Sequence, residues 1–484
     1  MSSTTNAGST PRPKIVVMKF GGTSVEDAVA IKRTVGIVQG RHAAGLNPVV
    51  VVSAMAKVTD TLLAAAAAAG RDDTAQALAL TCALRRRHID TASEVVGHHH
   101  IGDVAHVLHQ EFDKLDRLLE GVAAVGELTT RSNDLIVSFG ERLSSVIVAH
   151  AAHHRGLNGA HVDARSCIVT DSNFGKAAPL ESAIEAKLLE YVLPMVEAGQ
   201  VPVMGGFIGS NAAGITTTLG RGGSDYTAAL VGGGLHAGAI EIWTDVNGIM
   251  TTDPRIVPEA LRVKTISFEE AAELAYFGAK VLHPATILPA VQKSIPVWVL
   301  NSRNPTNEGT KITAIAPHCR SPFKSIAAKK RLTIVDIVAS RMLMSHGYLK
   351  AVFDVFDKYH CPIDMVSTSE VSISVTVDSN DRLPAICEEL GKIADVKYEG
   401  RKALVCLVGE DIRGHNGIAG RVFSAISHVN VRMISQGASE INMSFMIEED
   451  DVEEAVRSLH RAFFTDPDET VFDVAGALAH APSA

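Results

Sequence analysis

Polar and apolar positions fall into two regimes along this chain. From residue 14 to about 317, short unbroken apolar runs end in a polar residue or glycine and alternate with helical patterns. Residues 14–20 (KIVVMKF) carry Lys19 near their end and run into Gly21, Gly22, Thr23 and Ser24, followed by a helical pattern over 25–40. Residues 49–52 are all valine and end at Ser53; 201–207 (VPVMGGF) run into glycines; 240–244 (IEIWT) precede Asp245; 295–300 give a last strand. Unbroken apolar strands predict parallel pairing with both faces covered. Helices between them predict a doubly wound α/β domain with ligands at the carboxyl ends of its strands.

Residues 72–119 are helical and charged, an insertion of helices and not of sheet. They include His98, His99 and His100, with His106 and His109 nearby. Adjacent histidines point in different directions on a helix or turn, and no acid or cysteine completes a set, so they read as solvated surface. SFGER then places Glu141 and Arg142 at the opening of a helix that continues to Ala149. There Glu141 either complements the helix dipole or serves a site.

The second half changes period. Residues 345–377 read helix, strand, strand (SHGYLKAVFDVFDKYH, PIDMVSTSE, VSISVTV), and residues 413–447 read the same way (GHNGIAGRVFSAISHVN, VRMISQGAS, EINMSFMI). GYLKAVFDVF aligns with GIAGRVFSAI and IDMVST with VRMISQ, an internal repeat. Each unit owns a further helix, 383–392 and 452–464. Two small ferredoxin-like modules follow from this pattern, with an early strand at 332–338 pairing with one of them. The division expected is a tail at 1–13, an α/β domain at 14–317, a linker, first strand and first module at 318–400, a second module at 401–470 and a tail at 471–484.

Length and composition narrow the reading. The 484 residues suggest roughly three domains, and 46% hydrophobic with 20% charged residues is globular. A net charge of −9 argues against nucleic acid as the main partner. The six scattered cysteines lack a CxxC and fit reduced cytoplasmic thiols. No apolar run is expected to reach the length of a membrane span.

Candidate chemistry centres on residues 216–229, TTTLGRGGSDYTAA. Three glycines let the backbone approach a ligand, Ser224 reads as an N-cap of a helix over 226–235, and Arg221 offers a fork for carboxylate or phosphate. Asp225 suggests either a magnesium ligand or an orienter for a nearby lysine. No GxxxxGK[ST] is present, so a P-loop is excluded. Gly232, Gly234 and Ala237 match GxGxxA but lie inside a helix, which discounts a dinucleotide site. Two glycine turns with Lys19 and Arg221, joined by Arg255 and Lys280, leave phosphoryl transfer, which needs fixed cations and a metal to share charge.

Four motifs carry a resemblance: KFGGTSV (19–25), TTTLGRGGSDYTAA, WTDVNGIMTTDPR (243–255) and FGAKVLHPAT (277–286). In this order they resemble the aspartokinases of the amino-acid kinase superfamily, of the monofunctional, lysine-sensitive type, and the repeated modules resemble ACT regulatory domains. The resemblance implies transfer of the ATP γ-phosphoryl, with Mg2+, to the side-chain carboxylate of L-aspartate, the first step toward lysine, threonine and methionine. It implies Lys19 at the transferring phosphoryl, Lys280 on the ATP phosphates and Asp225 orienting both lysines. Glu141 would take the α-ammonium and Arg221 the α-carboxylate, with Ser53, Thr59 and Ser224 lining the aspartate pocket. Gly21, Gly22, Thr244, Asp245, Met250, Arg255 and Val281 would join Lys19 and Lys280 around the nucleotide. Met250 stands where relatives often place an aromatic side chain. No metal ligand from the protein is assigned.

The resemblance further implies an effector site at a dimer interface of the first ACT module: Met342, Ser345, Tyr348, Leu349, Asp364, Thr368, Ser369 and Glu370. Two acids, Asp364 and Glu370, beside hydroxyls suit lysine, which carries two ammonium groups. Relatives often have His where Met344 stands. Arg432 matches Asp364 in the second module and would repel an ammonium. A cytoplasmic homodimer or homotetramer without membrane contact is expected. A catalytically silent amino-acid sensor and a glutamate or acetylglutamate kinase are the alternative readings.

Overall fold

The computed structural model describes residues 14–277, 284–339, 346–378 and 381–474. The chain forms two compact units, residues 1–248 with 282–314, and residues 249–281 with 315–484.

In the first unit a sheet runs in the order Thr310–Thr313, Val297–Asn301, Ala239–Thr244, Ile15–Phe20, Asn47–Val52, Val201–Gly205, Gly159–Val162. These neighbours are parallel except for Thr310–Thr313, which runs antiparallel to Val297–Asn301 and which the apolar pattern alone did not mark. All six positions of Ile15–Phe20 are buried, as doubly covered strands require. Helix Ala28–Ala43 starts where the Asp27 carboxylate accepts the Ala30 N–H at 2.8 Å. Helix Gly223–Gly234 is glycine-rich for packing reasons. A Cβ on Gly232 would lie 2.6 Å from Ile240, and one on Gly234 2.6 Å from Leu188. That accounts for the GxGxxA match without a dinucleotide.

The inserted helices are Thr74–Val96 and Ile101–Val125, followed by Thr130–His154, capped by the Thr129 hydroxyl. Two expectations are corrected in this last helix. It begins eleven residues before Glu141, so Glu141 is mid-helix and does not complement the dipole at its start. It is also long and apolar enough to cross a membrane by length and composition, contrary to the expectation that no run would be. Within that window 83% is buried inside the protein. Asp134 accepts N–H bonds from Gly175 (2.9 Å) and Thr218 (3.0 Å) and the Thr218 hydroxyl (2.8 Å). It thereby fixes the strand Thr216–Thr218 and the loop that follows. The histidines at 98–100 are exposed, His98 bonding Ser93, and no group of three metal-ligating side chains exists among the described residues.

In the second unit both repeats hang on one antiparallel sheet, ordered Met365–Thr368, Ser372–Asp378, Phe323–Val338, Asp395–Gly409, Asn442–Glu448, Met433–Gln436. The early strand is longer than 332–338 and serves both modules. Its half at 332–338 pairs with Ser372–Asp378 of the first, while Asp395–Gly409 pairs at 402–408 with Asn442–Glu448 of the second. Residue 400, the expected limit of the first module, lies inside that second long strand. Both long strands carry a left-handed residue near their middle, Arg331 (φ 62°) and Arg401 (φ 55°), and their mutual register shifts between Lys329 and Leu332. Residues 249–277 belong to this unit. Lys324 and Glu270 form a buried ion pair at 2.9 Å, Thr251 bonds His460 at 2.9 Å, and Arg262 reaches Asp473 at 2.7 Å.

Candidate active site

The carboxyl ends of Ile15–Phe20, Asn47–Val52 and Val201–Gly205 open onto a cavity of about 600 Å³. Helix Thr130–His154 and the loop 220–225 supply further lining. Lys19, Gly22, Ser53, Thr59, Glu141, Arg221, Ser224 and Asp225 all line it, so eight residues chosen from separate motifs come together.

Lys19 Nζ lies 2.6 Å from Asp225 Oδ1, both largely enclosed. Of the two readings of Asp225, this pairing is the one that an orienter of a nearby lysine would make. The carboxylate comes from the first turn of Gly223–Gly234, where an acid complements the helix dipole. Ser224 does not cap that helix. Gly222, left-handed at φ 74°, is the cap, and Ser224 stands inside the first turn facing the cavity.

Glu141 is 4% exposed. One carboxylate oxygen accepts the Ala54 N–H at 3.1 Å; the other has no partner among the described residues. Burial pushes its carboxyl up to about 8, against which the Ala54 bond works only in part. An enclosed carboxyl with an oxygen left bare calls for a cationic ligand to hold it ionised. Glycines make room for it: a Cβ on Gly205 would sit 2.8 Å from the Glu141 Cβ, and one on Gly140 2.8 Å from the Ala54 Cβ. Likewise a Cβ on Gly206 would meet Ser224 at 2.7 Å.

Several lining residues escaped the sequence reading. Phe207 holds a left-handed conformation (φ 66°), its N–H donating to the Thr227 hydroxyl. Lys57, also left-handed (φ 67°), joins Asp60 on the rim. Arg87, from the inserted helix Thr74–Val96, donates to the carbonyls of Ala56 (2.9 Å) and Glu26 (2.8 Å). It bridges the loop at 53–57 and the chain leaving the first glycine turn. Only the adjacency of Gly205 and Gly206 in VMGGF signalled close approach here.

The nucleotide residues divide. Gly21, whose N–H donates to the Trp243 carbonyl at 3.1 Å, and Thr244 with Asp245 stand at the ends of adjacent parallel strands but not among the cavity's lining. Met250 and Arg255 group with the second unit; the Met250 carbonyl accepts from Ser325, and exposed Arg255 is paired with Asp253 at 2.6 Å. Lys280 and Val281 lie outside the described residues, as do Met342 and Ser345 of the effector set.

A lysine–aspartate pair at a glycine turn thus shares its cavity with an enclosed glutamate and an arginine. A family model described as the amino acid kinase family matches residues 14–301, and one described as an ACT domain matches 405–463. The lysine-sensitive aspartokinase 3 of Escherichia coli is 37% identical over 93% of this chain and 99% of its own. The chain belongs to the aspartokinases. Solved structures of E. coli aspartokinase III, one with aspartate and ADP (R-state) and one with lysine and aspartate (T-state), each superpose with a TM-score of 0.80. Each is 36% identical and covers 93% of this chain and 100% of that one. This aspartokinase therefore has the amino acid kinase α/β domain followed by ACT modules.

Proposed function

We propose that this ATP-dependent aspartate kinase phosphorylates the side-chain carboxylate of L-aspartate, giving 4-phospho-L-aspartate at the head of lysine, threonine and methionine synthesis. The observation that carries the substrate reading is the bare, enclosed oxygen of Glu141 in the same cavity as Arg221 and the Lys19–Asp225 pair. Glu141 takes the α-ammonium and Arg221 the α-carboxylate, which together orient the side-chain carboxylate toward Lys19; Ser53, Thr59 and Ser224 line the pocket between. That carboxylate is ionised at neutral pH, so it attacks the γ-phosphorus without a protein base. As its oxygen forms the acyl-phosphate bond, the bond to the β-phosphate oxygen breaks and ADP leaves with the electron pair. Lys19, held by Asp225, meets the charge on the transferring phosphoryl oxygens. Gly21, Gly22, Thr244, Asp245, Met250, Arg255, Lys280 and Val281 are the residues proposed for the nucleotide. Mg2+ would arrive with ATP and share its phosphate charge, Asp225 being committed to Lys19.

Lysine is the proposed inhibitor, bound at the first ACT module. Support comes from E. coli aspartokinase III, solved with lysine and aspartate in a T-state and with aspartate and ADP in an R-state, and from the exposed edge of the module. Thr368, Ser369 and Glu370 are exposed beside the edge strand Met365–Thr368, as are Leu349 and Val366. The Tyr348 hydroxyl is enclosed with no partner among the described residues. A second copy pairing at this edge would cover these side chains and give a homodimer or higher oligomer. An ATP-dependent hydroxamate assay across aspartate, glutamate and acetylglutamate, with and without lysine, tests the whole reading. Turnover of aspartate alone, reduced by lysine, is expected; preference for either other acid would overturn it.

A further inference from the structure

The acid assigned to the effector already carries an ammonium. Asp364 sits just before the edge strand Met365–Thr368, its side chain 4% exposed. Lys329 Nζ lies 3.0 Å from its Oδ1 and 2.9 Å from its Oδ2. The Tyr276 hydroxyl donates to Oδ1 at 3.0 Å. Lys329 also stands 3.1 Å from Asp378 and 5.8 Å from the centre of the Tyr276 ring. Three elements therefore meet on one carboxylate: the last residue of helix Phe268–Tyr276, the long strand Phe323–Val338, and the lead-in to the edge strand.

Both oxygens of Asp364 are engaged and its side chain is 4% exposed, so an incoming ammonium gains room only where a resident donor moves aside. Moving Lys329 off a buried acid would be costly if it became unpaired. Asp378, 61% exposed and already in range, keeps it paired. The hydroxyl of Tyr276, itself half exposed, can turn to water.

We propose that Lys329 is the resident occupant of the effector's ammonium subsite, and that effector binding exchanges one ammonium for another at Asp364 and frees Tyr276. This rests on the reading of lysine as effector. The helix Phe268–Tyr276 stays anchored at its start by the buried Lys324–Glu270 pair and further along by Asn442 bonded to Glu273. Release is thus confined to its last turn. Tyr276 precedes Lys280, a residue proposed for ATP, by four positions in the sequence.

Calorimetry of L-lysine against the full-length chain tests the exchange, with the wild type, Lys329→Met, Lys329→Gln and Tyr276→Phe. Removing the competitor removes a population cost, so both Lys329 variants should bind lysine ~10-fold or more tightly. Tyr276→Phe should still bind lysine but show weaker maximal inhibition of aspartate turnover. Lysine binding to both Lys329 variants no tighter than to the wild type would overturn the exchange alone, Lys329 then merely orienting Asp364. Lysine bound by no chain would remove the effector reading and the exchange with it. Lysine bound by the Lys329 variants but not by the wild type would support the exchange while denying lysine sensitivity to the natural chain. If Lys329→Met does not fold, Lys329→Gln and Tyr276→Phe carry the same comparison.

Discussion

Glu141 is at odds with its surroundings until a cation arrives. With its carboxyl raised to about 8 by burial, the free enzyme at neutral pH carries a proton where aspartate's ammonium is proposed to bind. The two compete, so apparent aspartate affinity should climb as pH rises toward about 8 and then level, while ATP affinity stays flat. Steady-state kinetics at varied pH would show this, and Glu141→Gln should weaken aspartate binding and flatten the profile; an equal loss for ATP would contradict the assignment. The sign for folding is opposite. A carboxyl raised from 4.5 to about 8 contributes stability that is present below 4.5 and lost as pH rises through 8. The apo enzyme should lose up to on the order of 5 kcal/mol over that window, visible as a falling Tm that Glu141→Gln does not share. Lys19→Ala should cut kcat by ~10²-fold or more, the scale for one transition-state stabiliser; near-normal turnover would refute its role. Residues such as Lys19, Glu141 and Arg221 were legible because charge beside a glycine turn or in a distinctive motif has few other uses. Phe207 and Lys57 were not, because both depend on left-handed backbone that no side-chain pattern announces.

At the scale of elements, the inserted helices are structural partners of the site and not an appendage. Arg87 holds two site loops through their carbonyls, and hydrogen bonds from a charged donor are worth about 1.5–3 kcal/mol. Arg87→Met should raise the KM for aspartate several-fold, ~5-fold or more on that scale, and change the KM for ATP much less. Arg87→Lys should recover part of the loss. Equal shifts in both constants would mark Arg87 as general scaffolding. Strands and their parallel pairing were readable from runs of valine and isoleucine. Helix limits were less so: Thr130–His154 starts well before SFGER because Thr129 caps it and Asp134 is buried on the strand Thr216–Thr218, a long-range bond that sequence cannot express. Ser224, a good cap by composition, yields that place to Gly222, whose backbone is left-handed where the helix starts.

Across the whole molecule, the loop after Thr244 gave no sign of where it belongs. Its motif reads as nucleotide contact, yet residues 249–277 are tied by Thr251, Arg262 and Glu270 to the regulatory unit. Lysine can inhibit only if it binds the inactive arrangement more tightly, by ~1–3 kcal/mol for typical coupling. Asp364→Ala should abolish the response of turnover to lysine. Arg432→Ala should not remove lysine binding, since Arg432 is already paired with Glu399 at 3.2 Å in the second module. Calorimetric heats surviving the first change and lost in the second would place the site in the wrong module. The two long strands that cross both modules have a separate consequence for anyone exchanging effector specificity between enzymes. A graft cut where the repeats begin and end would sever the sheet, since each module borrows half of a strand from outside its own repeat. The natural seams are Arg331 and Arg401, where the backbone turns left-handed and the register is already broken. A chimera joined at those two arginines would exchange one complete module and leave the ladder of its neighbour intact but for the Leu332–Lys402 pair that spans the seam.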